Sequence, residues 1–188
     1  MDTTIVVIKP EEVASGRAPE IYSAIERYCK ENGLELESRS VVLDRPVLER
    51  HFLGKGDQQI DLVAKKVKDV MTRHQIPFQD AHEAAMRLLR AQVDGYEGRP
   101  AIVVKITGDG AVEKISAIKG STDPCCAAPG TIRGMFSPGI GLHEYLRGSM
   151  SAVRNVIHAP ETEEEAAFDI ETFWKGASAL VDILRSEK

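Results

Sequence analysis

Three groups of side chains in this 188-residue chain have the types and spacing to do chemistry on an anion. His158 closes the apolar run Asn155-Val156-Ile157 and precedes Ala159-Pro160, where the chain must turn. A side chain at a strand end is held rigidly and still faces a cleft. A neutral imidazole there is a nucleophile near pH 7, and it accepts a phosphoryl group when a partner fixes its other nitrogen. The second group is Gly120-Ser121-Thr122-Asp123-Pro124 followed by Pro129-Gly130-Thr131-Ile132-Arg133-Gly134. Arg133 offers forked donors that suit phosphate oxygens, Thr122 offers a hydroxyl, and the glycines let backbone N–H groups approach an anion. Lys9, at the end of the first apolar run, completes a possible cation set. Each also has an ordinary reading: a packed or surface histidine, a glycine-bracketed turn, and a solvated charge before a proline.

Metal-ligand spacing is not evident. His51, His74, His82 and His143 are scattered and read as surface or packing groups, and adjacent Cys125-Cys126 lack the pairing of a zinc knuckle. Those two cysteines lie in the loop beside the phosphate cluster, where oxidation is conceivable.

The elements that must position these groups follow from apolar spacing. Residues 3–9 form a short β-branched run that stops at Pro10, a buried strand with Lys9 at its end. Pro19 can open a helix in which Ile21, Ala24, Ile25, Tyr28 and Cys29 share one face and Gly33 supplies the stop. Residues 34–43 read as a second strand with a wetter face. From 47 to about 98 the spacing is helical in two stretches separated by Ile76-Pro77-Phe78. Residues 100–106 are the second strongly β-like run and the expected central strand. Residues 111–119 read as a helix closed by Gly120, and 124–138 as a long loop of the kind that often carries function. The spacing then predicts a weak helix over 140–153, a short strand over 154–158 and a helical tail over 161–184. This order fits an α/β sandwich with helices over an antiparallel sheet, and alternation alone also allows a parallel one.

Composition bounds the function. With 24 Lys+Arg against 29 Asp+Glu the net charge is −5, and 43% of residues are hydrophobic. A single domain of this size removes roughly 70% of its unfolded surface from water. The acidic balance argues against a broad nucleic-acid-binding face and leaves room for a small basic pocket. The start has no basic leader region and only a four-residue apolar run before Lys9, so neither an export signal nor a membrane span is expected. Three cysteines, two of them adjacent, provide no disulfide framework, and the reading is a cytoplasmic protein.

Together the motifs resemble the nucleoside diphosphate kinase family over most of the chain. The resemblance rests on Val7-Ile8-Lys9-Pro10, His51-Phe52, Gly120 to Pro124, Ala128 to Gly134, and Arg154 to His158 with downstream Ala166 and Ile170 to Trp174. It implies an α/β (α+β) ferredoxin-like sandwich with a four-stranded antiparallel sheet covered by helices. One domain would span 1–188, with a helical insertion at about 54–98 and a lengthened loop at about 137–153, as in a longer-chain branch of the family. It also implies a homo-oligomer built on dimers, as a tetramer or hexamer. The expected reaction moves the γ-phosphate of a nucleoside triphosphate to a nucleoside diphosphate through a phosphohistidine, with Mg²⁺ carried on the nucleotide and no metal held by the protein.

Carried over by position, His158 resembles the nucleophile and Asn155 the contact to the sugar hydroxyl. Lys9 resembles the lysine that reaches the sugar and the transferring group, and Thr122 and Arg133 the phosphate clamps. Phe52 stands where the family has a tyrosine. Asp169 stands where it has a glutamate, and the shorter carboxylate is expected to reach the histidine through a water. Ser116 occupies the place of a second phosphate-binding arginine, with Lys114 or Lys119 as possible replacements. Pro160 replaces a serine, and Met135 an aspartate. Phe78 is the candidate to stack on the base. These departures motivate an alternative: a catalytically impaired family member that binds nucleotide or regulates a partner.

Overall fold

Strand β1 (Asp2–Ile8) buries both faces, with Ile5 and Val7 pointing one way and Val6 and Ile8 the other. A run apolar at every position is what a strand with helices on both sides requires. The computed structural model describes residues 1–77, 80–148 and 153–180. After β1 come α1 (Pro10–Ala14), α2 (Ala18–Glu31) and β2 (Glu35–Leu43). Then follow α3 (Arg45–Leu53), α4 (Asp57–Arg73), α5 (Ala81–Tyr96) and β3 (Arg99–Gly108). The chain continues through α6 (Ala111–Lys119), α7 (Ile132–Phe136), α8 (Leu142–Leu146), β4 (Ile157–His158), α9 (Glu163–Asp169) and β5 (Ser178–Ala179).

The sheet order is β4-β1-β3-β2-β5 with every pair antiparallel, and β3 is central as its sequence predicts. Its first four strands make the ferredoxin-like arrangement. The expected four strands are joined by a fifth, because β5 pairs with the outer edge of β2 at Val41 and Val42. Helices α2 and α6 pack on one face through Ile21, Ile25, Cys29 and Ile115. The other face is covered by α3 and α5 through Val47, Leu48, Val93 and Tyr96. A separate core lies away from the sheet, where α4, α5 and α8 join Val67, Ala85, Leu142 and Tyr145. Among the described residues no helix is long and apolar enough to cross a membrane.

Four local readings change. Pro10 does not merely stop β1; it opens α1 as a first-turn proline. The helical span before β3 holds three helices, since Asp44 caps α3 by accepting a hydrogen bond from the Val47 N–H. The strand expected over 154–158 is reduced to Ile157–His158. Among the described residues the tail is helical through α9 and a wide π turn at Ile170–Lys175 and then becomes β5, and residues 181–184 of the expected helix lie outside the described residues.

Candidate functional site

His158 pairs directly with Val7, so its side chain leaves the sheet on the face that α3 covers. The preceding turn is unusual. Ile157 N–H donates to Asn155 C=O at 2.7 Å across Val156, whose φ is +66°. This is a γ-turn centred on a β-branched residue, a conformation that costs of order 1–3 kcal/mol and persists only where its surroundings hold it. Arg133 does the holding: Nε donates to Asn155 O at 3.1 Å, Nη1 to Gly120 O at 3.0 Å and Nη2 to Ile157 O at 2.9 Å. Lys9 N–H adds a bond to Val156 O. Gly120 lets the Arg133 loop close, because a Cβ there would stand 2.3 Å from the Thr131 hydroxyl. Thr131 in turn caps α7 by accepting from Gly134 N–H.

The imidazole of His158 is gripped on one side. Its Nε2 lies 2.6 Å from Asp169 Oδ2, and Asp169 Oδ1 lies 3.0 Å from Nδ1 of His51. Because a carboxylate accepts, Nε2 of His158 carries its proton and the lone pair sits on Nδ1. The expected bridging water is therefore not needed. Asp169 reaches directly because α9 runs close beside β1 and β4. Burial pushes the His158 pKa down to about 4, against the opposing pull of Asp169, so the ring is neutral at pH 7. The carboxyl of Asp169 is held well below the usual range by the two histidines, which outweigh its own burial.

The other expected residues line the same cavity: Lys9, Phe52, Thr122, Arg133 and Asn155. Lys9 is 7% exposed, and its ammonium donates to Asn155 Oδ1 while Asn155 Nδ2 donates to Thr122 O. Burial lowers the Lys9 pKa to about 8. The Tyr96 ring lies 5.6 Å from that ammonium. Phe52 sits edge-on to His51. Ser116 lies on α6 outside the lining. Of the two lysines considered in its place, Lys114 turns away to Asn32 O, and Lys119 lines the cavity. Lys119 is 4% exposed and donates to Ala159 O and to Glu161 Oε1. Phe78 lies outside the described residues.

His51, expected as a packing or surface group, belongs to the site, and its place beside Phe52 is the sequence signal for it. The donor atoms of His51, His158 and Asp169 lie within 4.8 Å of one another, the only such group among the described residues. Two ring nitrogens and one carboxylate do not suit Mg²⁺, which demands oxygen ligands. This trio therefore offers no oxygen cage for Mg²⁺. Opposite the charged groups, α4 and α5 supply an aliphatic wall of Leu62, Val63, Leu88 and Leu89. Apolar width beside convergent cations suits a ligand with an organic end and an anionic end.

The comparisons agree with that geometry. The nucleoside diphosphate kinase family profile matches residues 56–178, more than half of the chain. The chain is 31% identical to a nucleoside diphosphate kinase of Streptomyces avermitilis, covering 92% of this chain and 96% of that one. It is 29% identical to one of Pyrococcus horikoshii, covering 93% and 85%. The solved structure of an NDP kinase from Pyrobaculum aerophilum superposes with a TM-score of 0.74 at 27% identity, covering 92% of this chain and 94% of that one.

Proposed function

Because the chain belongs to the nucleoside diphosphate kinase family, we propose that it moves the γ-phosphoryl group of a nucleoside triphosphate, ATP foremost, to a nucleoside diphosphate through His158. The observation that carries this reading is the Asp169 contact, which fixes the proton on Nε2 and leaves the Nδ1 lone pair of a neutral ring.

The Nδ1 lone pair attacks the γ-phosphorus as the bond to the β,γ-bridging oxygen breaks, and that electron pair leaves with the nucleoside diphosphate. Asp169 steadies the charge that the phosphorylated ring gains. An incoming diphosphate then attacks the phosphohistidine by the same path reversed. Phosphoryl transfer needs alignment and positive charge at the equatorial oxygens more than covalent help. Lys9 supplies one cation, and Mg²⁺ on the nucleotide neutralises the phosphate chain. Arg133 keeps two N–H donors beyond the three it spends on carbonyls. Lys119 takes the part that Ser116 cannot. Asn155 and Thr122 hold the sugar and phosphate oxygens.

Incubation with γ-labelled ATP should yield an acid-labile, base-stable phosphoenzyme that discharges on adding GDP. His158→Ala should lose it completely, and equal labelling of that variant would defeat the reading. Ser116 favours the alternative of a nucleotide sensor, which predicts ADP binding by calorimetry with no ATP–GDP exchange. We also propose one domain with the 54–98 segment as an inserted helical unit, a cytoplasmic setting, and assembly into dimer-based tetramers or hexamers. Sedimentation equilibrium gives the subunit number.

A further inference from the structure

Gln92 is a polar side chain on the apolar face of α5, and it is 5% exposed. Neither its amide oxygen nor its amide nitrogen has a hydrogen-bond partner among the described residues. A buried amide with both ends unpaired is rare in a folded protein and asks for a reason. Its position supplies one, because Gln92 lines the same cavity as His158. It lies on α5 one turn from Leu88 and one turn from Tyr96, so all three share a helix face. Tyr96 marks the Lys9 end, where phosphates would bind in the proposed reaction, and Leu88 belongs to the aliphatic wall. Gln92 stands between them, where the sugar and base of a nucleotide would run.

We propose that Gln92 is the polar anchor of the nucleoside, its amide turning into the cavity to donate to and accept from the sugar–base end of a bound nucleotide. This deepens the kinase reading and rests on it. An amide offers one donor face and one acceptor face, which match a base edge or a sugar hydroxyl pair. It carries no charge, so it contributes nothing to a bare phosphate chain. The helices α4 and α5 thereby provide both the apolar surface and the directional contact for the organic half of the substrate.

The test is Gln92→Leu, which keeps the volume and removes the amide. Its signature combines two opposite changes. Thermal unfolding should rise by about 2–4 °C, since a buried unpaired amide is replaced by an apolar group. The Kd for ADP, by calorimetry, should rise about tenfold, and inhibition of labelling by inorganic tripolyphosphate, which has no nucleoside, should not change. Comparing ADP with its 2′-deoxy form and with GDP separates the sugar contact from the base contact. A merely structural glutamine would lower the unfolding temperature and weaken ADP and tripolyphosphate alike; that result, or failure to fold, overturns the proposal. A wild type that labels while Gln92→Leu keeps its ADP affinity sinks this inference alone. A wild type that neither labels nor binds ADP sinks the kinase reading and this inference with it.

Discussion

The two walls of the cavity are built on opposite plans. On the sheet side, Lys9, Arg133, Asn155 and Asp169 are each less than a tenth exposed, and each is tied by hydrogen bonds to neighbours or to backbone. On the helical side, Leu62 is 54% exposed and Gln92 has no partner among the described residues, while α4 and α5 rest on a core of their own. A wall of locked polar groups loses no reorganisation energy when charge develops, which is what phosphoryl transfer demands. An aliphatic wall tolerates ligands of different shape. Chemistry and grip are thus divided between the ferredoxin-like sheet and the helices laid against it.

That division is broken most severely at Arg133. Removing the guanidinium strands three buried carbonyls and releases the strained Val156 turn. Arg133→Met should therefore lower the unfolding free energy by about 3 kcal/mol in urea, the cost of unpaired buried acceptors less the burial cost of the charge. A loss under 1 kcal/mol would show that Arg133 serves ligand rather than fold. Asp169→Asn comes next. An amide can present its N–H to Nε2 and move the imidazole proton to Nδ1, where the lone pair is needed. The labelling rate should fall about 10²-fold, with ADP affinity little changed. Equal losses in rate and affinity would mean that Asp169 shapes the pocket instead.

These same features mark what the sequence could show. Strands β1 and β3 were legible because continuous β-branched runs have one good use, a strand buried on both faces. Lys9, Arg133 and His158 were legible because each ends an apolar run or sits in a glycine-bracketed turn. His51 was not, since 118 residues separate it from the Asp169 carboxylate that gives it a role. Nor was the shortening of β4: valine at positive φ leaves no trace in a residue pattern, because distant groups enforce it. Gln92 escaped for the opposite reason, as a polar residue on an amphipathic helix is read as facing water.

A pH profile separates the walls by titration, since the sheet side holds both relevant groups. With His158 depressed to about 4 by burial, the ring stays neutral through the mildly acidic range, and its nucleophilicity is lost only as pH falls through that value. With Lys9 lowered to about 8, its charge is present below that pH and lost above it. The labelling rate, measured where circular dichroism is unchanged, should be level between pH 5 and 7. It should fall about tenfold per unit below pH 4, with a shallower decline above pH 8. A steep acid limb near pH 6.5 would show an unburied imidazole.

The helical wall should answer mildly, and Leu62 is the cleanest place to ask. It projects from α4 into the cavity with more than half its surface open, so its truncation leaves no void in the α4–α5–α8 core. Its contribution to binding is the apolar area a nucleoside would cover, about 1 kcal/mol for a half-buried leucine side chain. Leu62→Ala should thus raise the KM for ADP about three- to sixfold, with kcat and unfolding midpoint unchanged. A fall in kcat at constant KM would move Leu62 into the chemistry. The partition between a wall that reacts and a wall that holds would then be wrong, because an apolar side chain of the helical wall would be shaping the transition state.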